Sequence, residues 1–245
     1  KNSNEILVLL TNFNFDLLQM NFLLILIGKK LYNFCQSGFY DVKILGGTKL
    51  KKSNLIFGWE LESYQFLEFK KDKSKPKSKL LKQVDKEIED LKNIFFFVRN
   101  LINMPANILG PNEIFEASKK YLFGSYDFKK ITGKKLSKEY PLISAVGKGA
   151  SKSKQAIFST FISKKKNKRK IFIIGKGVSF DTGGLNLKTG SGMSLMKKDM
   201  GGAANAIGLA KIISNKKLNV EVNLLLCLVE NSLSENSMRP SDIYK

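Results

Sequence analysis

The sequence has no histidine. That absence removes the imidazole general base, the Ser-His and Cys-His nucleophile pairs and every zinc site built on histidine, so any catalysis must rest on carboxylates, lysines, backbone groups and metal ions. Cysteine is nearly as scarce. Cys35 and Cys227 stand far apart and form no C-x-x-C pair, which encodes neither a disulfide framework nor a thiolate metal site and fits a reducing cytoplasm. No apolar run approaches the roughly 20 residues of a membrane span. The strongest, Phe22 to Ile27 between Asn21 and Gly28-Lys29, reads as a buried strand or as part of a core helix. There is no signal-peptide pattern, and the first residue is Lys1 rather than Met, so the chain is expected to begin inside a longer protein.

Arginine is also rare, at Arg99, Arg169 and Arg239 only, although Lys and Arg together number 42 against 21 Asp and Glu. The formal charge of +21 is therefore almost entirely lysine. Proteins that read phosphates or bases favour the planar fork of arginine, and Asn, Ile and Phe, like Lys, have AT-rich codons. Composition bias is the leading account of the charge, a selected polyanion surface the lesser one, and nucleic acid the lesser candidate partner.

What is present suffices for a folded protein: 245 residues, 43% of them hydrophobic, can bury a sizeable core. Up to about residue 70, short apolar runs alternate with turn signals, and Asp41-Val42-Lys43-Ile44-Leu45-Gly46-Gly47 is too broken for a long helix, so short strands and turns are expected. Lys71 to Lys79 is a polar break. Leu80, Leu81, Val84, Ile88, Leu91, Ile94, Phe95 and Val98 then recur at helical spacing and predict a helix of about 20 residues. This boundary separates a small amino-terminal piece and linker, residues 1–79, from a larger remainder, residues 80–245.

In the remainder, Pro111 suits the first position of a helix reaching about Phe123. Strands are expected at Leu142 to Val146, Gln155 to Ile162, Ile171 to Gly175 and Val220 to Val229, with a small-residue helix at 201–214. Strand, helix and strand in that order imply an α/β domain.

Between Gly175 and Gly201 the sequence reads as a 25-residue loop, Lys176 to Met200. Loops of that length are usually functional or disordered, and leaving the carboxyl end of a core strand places this one where open α/β sheets bind ligands. It carries Lys176, Asp181, Lys188 and Asp199 among several glycines. The two aspartates are suited to hold one or two divalent cations. A neighbouring lysine acts there either as a neutral ligand or as a charged stabiliser of a developing oxyanion. An exposed loop of merely solvated charges is the bland alternative. Phe180-Asp181-Thr182-Gly183 also matches the aspartic-protease signature, but it occurs once and among helix signals. Gly201-Gly202 opens a helix that would suit a phosphate, but no G-x-x-x-x-G-K-[ST] pattern accompanies it.

The run Ile174-Gly175-Lys176-Gly177-Val178-Ser179-Phe180-Asp181-Thr182-Gly183-Gly184, followed by Leu187-Lys188, Met193 and Met196-Lys197-Lys198-Asp199-Met200-Gly201-Gly202-Ala203-Ala204, strongly resembles the leucyl aminopeptidase (cytosol aminopeptidase) family of two-metal exopeptidases. Arg99 to Asn107 looks like that family's lead-in to its catalytic domain, and Glu230-Asn231 with Arg239-Pro240-Ser241-Asp242 resembles its E-N…R-P-G-D segment. The resemblance covers about residues 90–245. It implies a catalytic α/β domain with a central mixed sheet, preceded by part of a smaller α/β amino-terminal domain.

The resemblance further implies that Asp181 bridges two divalent cations, Mn²⁺ or Zn²⁺, and that Lys176 and Asp199 are ligands of the more loosely held one. Lys188 would polarise the scissile carbonyl, and Met196 would line the pocket for the first side chain, with a core methionine as its alternative. Peptide substrates, a bicarbonate base, a cytoplasmic location without membrane attachment and a homohexamer belong to the same expectation. The family's next motif, N-T-D-A-E-G-R, which supplies the remaining Asp and Glu ligands, would be expected shortly after Lys245, where this sequence stops, and Ser241 stands where the family usually has Gly. A decayed, non-catalytic basic binding protein on the same fold is the alternative of a different class.

Overall fold

The structure, a computed structural model, describes residues 4–9, 17–45, 51–71, 78–80 and 84–244. The chain divides into two compact units, Lys1–Phe96 and Phe97–Lys245. Both mix helices with a sheet.

In the first unit β1 (Asn4–Leu9), α1 (Leu17–Phe34), β2 (Gly38–Leu45), α2 (Lys52–Glu62) and β3 (Ser78–Leu80) alternate. The strands lie in the order β1-β2-β3, all parallel, so each helix is the crossover that a parallel pair requires. Short strands and turns were the reading of the residues here, with the Phe22 to Ile27 run open between a buried strand and a core helix; the run is helical, with Leu24 fully buried, and α2 is an addition to that reading. The reason lies in tertiary packing. A side chain at Gly28 would collide with the carbonyl of Leu55, and one at Gly58 with the carbonyl of Ile25, so the two helices touch backbone to backbone. Packing of this kind, rather than propensity, carries most helix stability in proteins. Gly46 and Gly47 lie outside the described residues.

Helix α3 (Lys86–Asn103) starts later than the apolar spacing predicts. Leu80 belongs to β3 and pairs opposite Tyr40, residues 81–83 lie outside the described set, and Asp85 accepts the N–H of Glu87 at 3.3 Å as a cap. Of the Lys71 to Lys79 break, Ser78 and Lys79 are in β3, and 72–77 lie outside the described set. No helix among the described residues is long and apolar enough to cross a membrane.

The second unit contains α4 (Pro111–Tyr121), β4 (Tyr126–Ile131), α5 (Gly133–Glu139), α6 (Pro141–Val146), β5 (Ile157–Ser163), β6 (Lys170–Asp181), α7 (Gly190–Met193), a 3₁₀ turn (Met196–Met200), α8 (Gly201–Asn215) and β7 (Glu221–Asn231). Its sheet runs β4-β5-β7-β6, with β6 and β7 parallel and the other pairs antiparallel. The strand expected at Leu142 to Val146 is instead α6: Pro141 occupies its first position, where a preset φ favours a helix, and Leu142 is 81% exposed. Strand β4 was not anticipated because it pairs on one side only and exposes its four middle residues, a pattern without an apolar face.

Strand β7 reads as an unbroken apolar run because both its faces are covered. Leu224, Leu226 and Leu228 pack with Ile114 and Phe115 of α4 and Ile207 of α8, whereas Leu225, Cys227 and Val229 pack toward Leu136 of α5 and Phe158. Helix α8 lies directly on β6: a Cβ at Gly175 would come 2.7 Å from the Cα of Ala203, and one at Gly177 3.3 Å from its Cβ. Glycine and alanine thereby bring the start of α8 next to the carboxyl half of β6.

Tyr126 fastens β4 to α8. Its hydroxyl donates to the carbonyl of Ala210 at 2.8 Å, and burial pushes its pKa up to about 12. A phenol that ionises later in the folded than in the unfolded chain contributes stability that is complete below pH 10 and lost as pH rises toward 12. Tyr126→Phe is expected to remove this alkaline step and to cost about 1 kcal/mol at neutral pH, as read by urea unfolding across pH 7 to 12; an unchanged alkaline profile would refute the assignment.

Candidate active site

The expected loop from Lys176 to Met200 is shorter than the sequence suggests. β6 continues through Asp181, so Lys176 and Asp181 both stand on the strand, and α7 and the 3₁₀ turn occupy much of the stretch between Asp181 and α8. Near its end β6 is irregular. Val178 pairs with Val229 but Asp181 pairs with Asn231, so β6 fits one more residue than β7 into the same interval. Such a bulge bends its strand and re-aims the residues after it. Here it sets Asp181 directly across from Asn231.

The Asp181 carboxylate is held on both oxygens. Oδ1 accepts Nδ2 of Asn231 at 2.7 Å and the Gly183 N–H at 3.0 Å, and Oδ2 faces Nζ of Lys188 at 3.1 Å. Burial pushes this carboxyl up, but the Gly183 N–H, Asn231 and Lys188 together outweigh it and hold the group below the usual aspartate value. The turn that brings Lys188 back is built from backbone. Thr182 donates its N–H and its hydroxyl to the carbonyl of Asn231, at 3.0 and 2.9 Å, and its own carbonyl accepts the Lys188 N–H at 3.0 Å. Gly183 has φ +89°, and a side chain there would collide with the carbonyl of Asn186, so only glycine closes this turn.

Lys176 and Asp199 form a second pair. Nζ donates to both carboxylate oxygens at 2.7 and 2.8 Å. Asp199 sits in the 3₁₀ turn just before α8, and a Cβ at Gly202 would lie 3.1 Å from the Lys176 carbonyl, so the close seat of α8 sets this pairing. The four charged residues singled out by spacing are thus gathered into two lysine–aspartate pairs. Met196, the fifth, opens the 3₁₀ turn with a partly exposed side chain.

Beyond these, the structure places Asn231, Thr182 and Gly183 in the site. The sequence marked Asn231 only through the Glu230-Asn231 resemblance and gave it no role, because its contact depends on a strand register. Behind it, Glu230 is fully buried and accepts Nε of Arg239 at 3.0 Å, with Nη2 on the same oxygen. Arg239 reaches Asp242 through Nη1 at 3.1 Å, and Asp242 accepts the Asn107 N–H at 3.1 Å.

As a donor set, Asp181 and Asp199 offer hard oxygens and Lys176 an amine, and these suit part of the shell of a divalent cation of the Mn²⁺ or Zn²⁺ kind. Among the described residues no group of three or more His, Cys, Asp or Glu is placed to hold a metal ion. Six or so ligands around each of two cations need more donors than these three.

Ser241 lies in the tight turn between Arg239 and Asp242 with φ +71°, a left-handed conformation that favours glycine. Its hydroxyl makes a long hydrogen bond, 3.5 Å, to the Ser194 carbonyl. Ser241→Gly is expected to raise stability by up to about 1 kcal/mol, measured as a higher melting temperature of the purified chain; a lower one would show that the serine hydroxyl matters more than the strain.

Residues 96–245 match the model of the cytosol aminopeptidase family, catalytic domain. A probable cytosol aminopeptidase of Sinorhizobium fredii is 30% identical over 84% of this chain and 45% of its own length. The crystal structure of a cytosol aminopeptidase from Coxiella burnetii is 33% identical and superposes with a TM-score of 0.76, covering 91% of this chain and 49% of that one. The bottromycin maturation enzyme BotP in complex with Mn, 20% identical with a TM-score of 0.71, covers 89% of this chain and 50% of that one and shares the fold. The chain thus spans about half the length of the proteins it matches.

Proposed function

We propose that this chain, which belongs to the cytosol aminopeptidase family, carries one half of a metal-dependent aminopeptidase site and that the protein it represents removes amino-terminal residues, leucine-like ones among them, from peptides. The observation that carries the reading is the gathering of Lys188 with Asp181 and of Lys176 with Asp199 at the carboxyl end of β6. Asp181, Asp199 and Lys176 are the residues that would hold divalent cations. Bound there, Mn²⁺ or Zn²⁺, two in the complete site, supplies a Lewis acid and a water of lowered pKa. The manganese in the BotP structure supports a choice of this class.

In this reading Asp181 would be a metal ligand whose orientation is preset by its hydrogen bonds. Lys188 keeps its ammonium beside the reacting centre and donates to the oxygen that gains charge as the peptide carbonyl becomes tetrahedral. Met196 contributes to the pocket for the amino-terminal side chain. Residues 1–79 are assigned to an amino-terminal domain segment with its linker, and residues 80–245 to the linking helix and a catalytic-domain segment. A cytoplasmic homohexamer and a bicarbonate base complete the family reading.

Lys188→Ala, in a protein that carries the complete ligand set, is expected to lower kcat on a leucine chromogenic amide by about 10²–10³-fold with metal content unchanged, because an interaction of the transition state is lost rather than a ligand. Loss of metal in that variant would assign Lys188 a ligand role instead. The 245-residue chain by itself, with two carboxylates and one amine, is expected to take up metal weakly and to turn over peptide near background. Stoichiometric uptake of two cations, with turnover that Asp181→Ala abolishes, would overturn this expectation.

A further inference from the structure

We infer that Asn231 is the positioning residue of the site: its carboxamide fixes the plane of the Asp181 carboxylate, committing Oδ1 to the protein and turning Oδ2 outward as the oxygen that receives a cation. The inference rests on the ligand reading of Asp181 and extends it to a residue without charge.

Four observations converge. The bulge in β6 brings Asp181 opposite Asn231, which a regular register would not do. Both hydrogen bonds to Oδ1 come from uncharged protein groups, Nδ2 of Asn231 at 2.7 Å and the Gly183 N–H at 3.0 Å, and two donors suffice to occupy the two lone pairs of that oxygen. Oδ2 instead faces the Lys188 ammonium, at 3.1 Å, a group on a flexible stem that can withdraw. Asn231 is itself immobilised without using its side chain, because Thr182 donates twice to its backbone carbonyl and the preceding Glu230 is buried and locked by Arg239. The carboxamide is therefore free to do one thing, and the backbone around it stays in place when the side chain is cut back.

Hydrogen bonds of this kind orient a ligand, and their loss weakens metal binding by about 10–100-fold. The test titrates the 245-residue chain with Mn²⁺ into the millimolar range, following the free ion by electron paramagnetic resonance. Asn231→Ala, and Asn231→Leu as a variant of similar volume, are expected to raise the apparent Kd by about 10–100-fold and to leave the metal-free melting temperature within a few degrees of the parent.

An Asn231→Ala Kd within about twofold of the parent, while Asp181→Ala abolishes binding, overturns the inference and leaves the ligand reading intact. Parent-like binding by Asp181→Ala, or no Mn²⁺ uptake by the parent chain, overturns the ligand reading and this inference with it.

Discussion

The register between β6 and β7 is the constraint on which the rest of the second unit depends. Up to Val178 the two parallel strands are paired residue for residue, and their side chains alternate between the two faces of the sheet. One more residue in β6 than in β7, just before Asp181, changes what stands across from what. A one-residue slip in a sheet exchanges its faces, so the irregularity decides whether Asp181 enters the core or the rim. It enters the rim, against Asn231, while Phe180 beside it is 1% exposed and belongs to the interior. The same backbone feature thus gives the strand its last core residue and, next to it, its one carboxylate.

Charge in the site is balanced internally. Two aspartates are matched by two lysines, so the metal-free protein does not bear the repulsion of a bare carboxylate pair. The arrangement differs from that at Arg239. There a buried guanidinium spans Glu230 and Asp242 and joins the end of β7 to the Asn107 segment through charge-assisted hydrogen bonds. Removing one partner from such a buried pair costs far more than separating an exposed one. The Arg239 network holds the frame, and the lysine pairs are the parts that can open.

How much of this was legible in the sequence divides along physical lines. The chemistry of the site was readable because Lys176, Asp181, Lys188 and Asp199 stand in one short segment of a recognisable pattern. Their pairing was not, since the side-chain geometry depends on how closely α8 approaches β6. The strands β5, β6 and β7 and the helices α4 and α8 were readable from apolar runs, Pro111 and a small-residue stretch. Helix α1 was half legible, since the Phe22 to Ile27 run suited a core helix as well as a strand, and α2 was not, because backbone contact at Gly28 and Gly58 holds the pair and no periodicity records it. Pro141 marked a helix start at α6, and the apolar content of Leu142 to Val146 obscured it. The β-bulge left no trace in composition, and Asn231 accordingly went unassigned.

The unequal exposure of the two lysines has a consequence for ionic conditions. The Lys176 side chain is 62% exposed and that of Lys188 33%. Dissolved salt screens charges that face water and acts far less on those shielded by protein, over a Debye length of about 8 Å at physiological ionic strength. Raising ionic strength therefore loosens the Lys176–Asp199 pair more than the Lys188–Asp181 pair. The two halves of the site differ in electrolyte sensitivity: one contact responds more strongly to the surrounding medium than the other.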